Sequence, residues 1–474
     1  MSDLTGLTIG AASERLDRGE LSSVDLTEAY LARIAALNPT LNCYVAVRID
    51  EAWAEARAAD ARRARGDRRG PLDGIPIALK DNIDVLGVRT TNGMGPRPDA
   101  TPARDAEVVR RLRAAGAVIL GKLNMHEGAL GGTTDNPHHG RTHNPWRLGF
   151  TPGGSSGGTG AAVAATLCAG GIGTDTMGSV RLPAAYCGVA GLKPTFGLIS
   201  ARGVAPLSRR LDTVGPIARC VTDLAVMLDV MAGFDPEHIE SVRAPDEPIH
   251  PITARESLAG LRVGLIENLE RVEMDPDVPR LFGEALSMVE RLGGALQAID
   301  LPGYEPALAR RAGLLVCEAE AAVVHERDMA AHPDAFSPAF RRMLEFGRDA
   351  SGAQLVKAER TIQEAGFRLR RALERVDVVM TPSAPQTAFA FDTQTPISQA
   401  DLMAIANFAG CPAVSIPCGL SRAALPIGLQ LIGRPFGERA LLAAARVFEA
   451  AFGFAPAPPL SGASAGRDAH PGSS

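Results

Sequence analysis

Helix-like and strand-like segments alternate along almost the whole chain, which predicts an α/β fold. The pattern is that of one large domain, a mixed and mostly parallel β-sheet core covered by helices on both faces. Two further observations favour one domain over residues 1–455. Proline and glycine are spread through the chain, and no Gly/Ser-rich or charge-block segment interrupts it as a linker would. The length of 474 residues taken alone would suggest about three domains, and it finds no support in the composition. Residues 456–474, proline-rich and then Gly/Ser-rich, are expected to form a disordered tail.

The elements follow in order. Ser22, Ser23 and Asp25 open a helix whose Leu26, Tyr30, Ile34 and Leu37 share a face. Asn38-Pro39 is expected to end it, because proline lacks the N–H that the next turn needs. An alanine- and arginine-rich helix covers residues 51–65. Ile75–Leu79 reads as a short apolar strand with Lys80 at its carboxyl end. Residues 105–115 form a helix stopped by Gly116, and Ala117–Leu120 a buried strand. The same order recurs in the helix Gly157–Leu167 and the strand Gly171–Asp175. Val378–Met380, Ala413–Ile416 and Gly428–Ile432 are later strands, and Glu438–Ala450 is a closing helix.

Composition excludes several classes. A net charge of −5 without a lysine/arginine block argues against a nucleic-acid partner. The one basic cluster, Arg62-Arg63-Ala64-Arg65 with Arg68 and Arg69, reads as a solvated helix end, the alternative being a contact with an anion or RNA. The N-terminus has no basic leader followed by an apolar stretch, and no apolar run approaches the ~18 residues of a membrane span. Seven cysteines without metal-type spacing fit reduced thiols, so a cytoplasmic location is expected. His126, His138, His139 and His143 lie on an irregular stretch without a ligand motif, so no metal is expected.

Three segments carry chemistry. Lys80 closes Gly74-Ile-Pro-Ile-Ala-Leu-Lys80. Ser155 lies in Gly153-Gly154-Ser155-Ser156-Gly157-Gly158, and Ser179 in Gly173-Thr174-Asp175-Thr176-Met177-Gly178-Ser179. A serine hydroxyl is a poor nucleophile until a base within hydrogen-bond reach takes its proton. Lysine can be that base only if burial keeps it neutral, and arginine cannot be deprotonated at all. Of 49 basic side chains only four are lysines, and one of them is Lys80. The two serines, Ser155 and Ser179, and Lys80 therefore read together as a nucleophile, a proton bridge and a base, with Ser179 the nucleophile candidate and Lys80 the base. Ser156 has a supporting role in the turn. The backbone N–H groups of Thr176, Met177, Gly178 and Ser179 can converge as an oxyanion hole. Asp175 and Arg181 bracket the nucleophile and more often hold a loop than bind substrate, with Thr174 orienting the same loop. The glycine-rich run lacks the Gly-Lys-Ser/Thr ending of a phosphate cradle.

These segments, with Val180-Arg181-Leu-Pro-Ala184 after them, closely resemble the amidase signature family of serine hydrolases. The resemblance is densest over residues 74–197 and runs to about residue 455. It implies a cis peptide before Ser155 and that serine's relay role. It also places Leu130, Gly131 and Gly132 on the acyl side of the site. Cys317, in the apolar run Leu314–Cys317, is a core residue or a pocket-lining one. The family usually has two glycines before the nucleophile, and here Met177 replaces the first.

The resemblance implies an amidohydrolase that cleaves a linear C–N bond, releasing ammonia or an amine through a Ser179 acyl-enzyme, without a cofactor. Expected partners are a small amide-type substrate and, by family habit, a second copy of the chain, with no nucleic acid and no membrane. The same core serves the glutaminase component of a tRNA-dependent amidotransferase, which the segment Pro426–Gly433 also resembles. Carbamoyl-compound hydrolases and hydrolytic deaminases of the family are further alternatives.

Overall fold

The structure, a computed structural model, describes residues 4–95, 100–244, 248–252, 255–267, 269–454 and 457–459. All but 457–459 of the expected 456–474 tail lies outside the described residues. The first strands in the chain are β1 (Tyr44–Val47), β2 (Pro76–Lys80) and β3 (Val118–Leu123). A small hairpin, β4 (Asp135–Asn136) with β5 (Gly140–Arg141), stands apart. Then come β6 (Gly170–Asp175), β7 (Ala190–Lys193), β8 (Thr213–Ala218), β9 (Arg262–Ile266) and β10 (Ala295–Ile299). The last are β11 (Val378–Pro382), β12 (Ala413–Leu420) and β13 (Pro426–Ile432).

All except the hairpin belong to one eleven-stranded mixed sheet in the order β1-β3-β2-β6-β8-β7-β12-β13-β11-β9-β10. Parallel pairing holds β3, β2 and β6 together on one side and β11, β9 and β10 on the other. Antiparallel pairs join these groups across the middle. Every residue of β2, β3 and β6 is buried, which explains why these strands read as continuous apolar or glycine runs rather than alternating ones. Helices cover the sheet, among them Gly157–Ala164 against β6, Val221–Met231 against β8 and Glu438–Phe452 against β12.

Two expectations change. The first long helix does not stop at Asn38-Pro39; it runs from Ser23 to Leu41 with Pro39 inside its last turns. Proline's fixed φ is itself helical, so near a helix end the ring removes one N–H and little else. Asn38 completes the end: its carbonyl accepts from Asn42 N at 2.8 Å, and its Oδ1 accepts from Tyr44 N at 2.7 Å. The start is as expected, with Ser22 and Asp25 forming a reciprocal capping box.

The basic cluster is not a free solvated end. Arg62 pairs with buried Asp73, Arg63 pairs with Asp17 and donates to Asp73 O at 2.7 Å, and Arg68 reaches Asp17 at 3.0 Å. These arginines tie the helix end to its neighbours. No helix among the described residues is long and apolar enough to cross a membrane.

Candidate active site

Because β2 and β6 are parallel neighbours, their carboxyl ends open on the same edge of the sheet. Lys80 ends β2, and Asp175 ends β6 and leads into the loop that carries Ser179. The turn with Ser155 and Ser156 sits between them, at the start of the helix Gly157–Ala164. A close approach makes this possible. A Cβ on Gly158 would come within 2.3 Å of Asn124 O and 2.8 Å of Cys43 O, so only glycine lets the helix start so near β3.

Lys80 is fully buried, its Nζ 2.7 Å from Ser155 Oγ and 2.8 Å from Thr174 Oγ1. Asn82 Nδ2 also donates to Thr174 Oγ1, at 3.1 Å. Burial lowers the lysine from its ordinary 10.5 to about 7, against the opposing pull of Asp212 and Asp175. The neighbouring Asp81 faces away and forms an ion pair with Lys122 at 2.9 Å. A neutral amine has two N–H bonds and one lone pair. With one N–H directed at Thr174, the lone pair can accept the Ser155 hydroxyl proton.

The Gly154–Ser155 peptide is cis. Ser156 links the two loops: its Oγ donates to Thr174 O at 3.2 Å and accepts from Thr174 N at 3.3 Å, while its N donates to Ser179 O at 3.3 Å. Ser179 is half-buried, at the mouth of a cleft.

Asp175 organises the Ser179 loop from within. It accepts from Gly178 N at 2.7 Å and Val180 N at 3.2 Å, and pairs two-pronged with Arg181 at 3.0 and 2.9 Å. Burial disfavours its charge, but Arg181 prevails and holds the carboxyl well below the usual carboxylate range. Arg181, also fully buried, donates further to Met403 O at 2.9 Å, Gln430 Oε1 at 2.6 Å and Asn407 Oδ1 at 2.6 Å. The pair therefore anchors the loop to the C-terminal part of the chain.

One expected oxyanion donor changes. The Gly178 N–H is engaged by Asp175, so it is not available to a substrate oxygen; the groups of Thr176, Met177 and Ser179 carry no hydrogen bond to any described residue. The reason is local, since the loop curls over the Asp175 carboxylate with Gly178 at φ +131, where a side chain is strained.

The cleft, about 170 Å³, is lined by Leu130, Gly131 and Gly132 and also by Cys317, which is fully buried and reaches it from the core. It also takes in Thr176, Met177, Gly178 and Ser179. Met177 lies over Gly313 of the helix Pro306–Val324, where a Cβ would sit 2.7 Å from its sulfur. Asp212, Arg310, Gln399, Met403, Asn407 and Gln430 were not anticipated. Gln430 alone had a signal, an amide inside the apolar strand β13, since buried polar groups require partners. The four histidines make separate contacts: His138 with Glu127 at 2.9 Å, His139 with Thr91 at 3.1 Å, His143 with Gly149 N at 3.1 Å, and His126 with Thr133 at 3.3 Å.

The sequence pattern of the family described as Amidase matches residues 25–442. The chain belongs to the amidase signature family. It is 40% identical to the A component of the glutamyl-tRNA(Gln) amidotransferase of Geotalea daltonii, over 94% of this chain and 97% of that one. Among solved structures it superposes with TM-score 0.88 and 34% identity on a chain described as part of a vestigial complex revealing the origins of an s-triazine catabolic enzyme. That match covers 94% of this chain and 98% of the other. The native peptide amidase of Stenotrophomonas maltophilia matches with TM-score 0.85 and 32% identity, over 96% and 99% of the two chains.

These findings correct the expected partners. The Geotalea relative is by name one component of an enzyme for glutamyl-tRNA(Gln), which conflicts with partners limited to a small-molecule substrate and a second copy of the chain, and with the exclusion of nucleic acid. Charge and basic runs reveal a protein's own nucleic-acid footprint, and a chain inside a larger assembly need not carry one. The family assigns this chain to enzymes acting on C–N bonds of the amide type.

Proposed function

We propose that this chain is the amide-hydrolysing (glutaminase) component of a cytoplasmic amidotransferase acting on glutamyl-tRNA(Gln). End-to-end similarity to components of that name carries the assembly. The 2.7 Å contact between a lysine lowered to about 7 and Ser155 carries the chemistry.

In this reading Ser179 Oγ attacks the amide carbonyl carbon, and its proton passes through Ser155 to the Lys80 lone pair. Backbone N–H groups of Thr176, Met177 and Ser179 face the oxyanion, each worth about 3–4 kcal/mol. As the C–N bond breaks, Lys80 returns the proton through Ser155 to the nitrogen, and ammonia leaves. Water then hydrolyses the Ser179 ester by the same relay in reverse.

A second reading, a free-standing amidase, is favoured by Met177. Its side chain occupies the cleft where the amidotransferase component usually keeps a glycine.

Ammonia release by the purified chain from glutamine and from small aliphatic and aryl amides tests both, with Ser179→Ala as control. The first reading expects glutamine-dependent ammonia, and amide transfer to glutamyl-tRNA(Gln) once the other amidotransferase components are supplied. Rapid turnover of small amides with no transfer in the reconstituted mixture would move the assignment to the second.

A further inference from the structure

One charged side chain in the cleft is left unexplained by the proton relay. Arg310, on the helix Pro306–Val324, lines the same cleft as Ser179 and is only 9% exposed. It gives its Nε–H to Asp401 Oδ1 at 2.5 Å. Its two terminal amino groups make no hydrogen bond to any described residue. A guanidinium rarely leaves that edge unused in a buried place, because the fork matches a carboxylate in both spacing and charge.

A second group points the same way. Gln399, 8% exposed, lines the cleft beside Gly132; its Nε2 donates to Pro396 O at 3.2 Å, while its buried Oε1 has no partner among the described residues. A Cβ on Gly132 would meet that oxygen at 3.0 Å, so glycine there keeps the amide against the cleft wall. The cleft thus presents one double donor on an otherwise mostly apolar surface, with an unpartnered acceptor buried in its wall. At about 170 Å³ it is smaller than the ~300–1,000 Å³ of sites for drug-sized ligands.

We propose that Arg310 is the specificity residue of this cleft and that the substrate is a small amide bearing a carboxylate, held by the free edge of the guanidinium while Gln399 Oε1 accepts an N–H. The proposal rests on the amide-hydrolysis reading of the same site. For glutamine the recognised group is the α-carboxylate, and the unpartnered Gln399 oxygen suits its ammonium. Asp401 holds the guanidinium by its far edge and so acts as a positioning residue.

Two measurements test it. Binding is read first by calorimetry on Ser179→Ala protein, using succinamate against its methyl ester and glutamine against its α-methyl ester. The acids are expected to bind at least about tenfold tighter than the esters, a charged pair of hydrogen bonds being worth that or more. Arg310→Gln combined with Asp401→Asn, which leaves no buried unpaired charge, should bring acids and esters to the same level. Turnover is read second, in protein with Ser179 intact. The double substitution should lower kcat/KM for succinamate about 100-fold and for its ester less than about threefold.

Acid and ester bound alike by the Ser179→Ala protein, or equal losses on both in the double variant, would overturn the proposal. If no amide is turned over, the amide-hydrolysis reading fails, and the binding ratio alone still decides this one.

Discussion

At the scale of single residues, the choice of lysine at position 80 carries the most chemistry. Burial lowers it to about 7, so its neutral, proton-accepting fraction is about a tenth at pH 6 and about nine-tenths at pH 8. For a base that works deprotonated, kcat/KM should therefore rise with pH through about 7 and then level off. Asp212 is the largest charge opposing that shift, and it accepts from Thr176 Oγ1 at 2.6 Å. Burial pushes Asp212 itself up to about 6, so it is ionised across most of the rise. Asp212→Asn removes the charge that favours protonated lysine, and the acid limb should move to lower pH. A limb that stays fixed or moves upward in the pH–rate profile would refute the assignment of that limb to Lys80. Lys80→Arg should abolish turnover by at least about 10³-fold, since arginine keeps its proton. Unchanged thermal unfolding would separate that loss from misfolding. Scarcity makes the placement telling: three of the four lysines, Lys80, Lys122 and Lys193, are fully buried, and the exposed cationic positions are held almost entirely by arginine.

At the scale of elements, the site depends on how close the helix Gly157–Ala164 comes to the strands beneath it. Its first turn lies over the end of β3 at Gly158, and its Thr159 methyl would touch a Cβ on Gly171 of β6 at 2.5 Å. Gly158→Ala must push the helix away from Asn124 and Cys43 backbone, and Ser155 and Ser156 move with it. Activity should fall at least about tenfold, with a stability loss of about 1–3 kcal/mol as for other overpacked sites. Urea unfolding combined with a kcat measurement checks it; wild-type values of both would show that the helix has room to spare. The glycine-serine run was conspicuous in the sequence as a flexible turn. What required those glycines was the approach of a second backbone, which local propensity does not contain.

At the scale of the whole molecule, Arg181 connects parts of the chain more than 220 residues apart. From the N-terminus of its short helix it reaches Met403, Asn407 and Gln430, so the loop holding Ser179 is supported by β13 and by the helix Ala404–Phe408. Breaking a buried pair by removing one partner costs about 3–5 kcal/mol, because the other charge is left uncompensated. Arg181→Leu should destabilise the protein by that amount in denaturant titration and remove activity with it. Asp175→Asn combined with Arg181→Leu should recover part of the stability but none of the turnover, since the loop would still lose its anchor to the C-terminal strands. Equal stability of the single and double variants would show that charge pairing is not what holds this loop.

Read as a string of residues, this chain already identified its fold class and its family, and it singled out Lys80 and Ser155, whose side chains meet at 2.7 Å. Each of these is written in short segments whose local chemistry is unusual: an isolated lysine after an apolar run, and serines among glycines. The edges of elements were less legible. A helix passed through Pro39 because ring geometry permits it near a helix end, and the basic run after residue 61 closed on Asp17 and Asp73 instead of facing water. Tertiary structure alone decided which backbone amides remain free beside Ser179, because the Asp175 carboxylate captures Gly178 N–H only when the loop is folded over it. It alone brought Asp212, Arg310, Gln399 and Gln430 to the site, from segments with no distinctive spacing. Such contacts depend on how distant elements pack against one another, and residues that meet only through packing leave no periodic trace in the sequence.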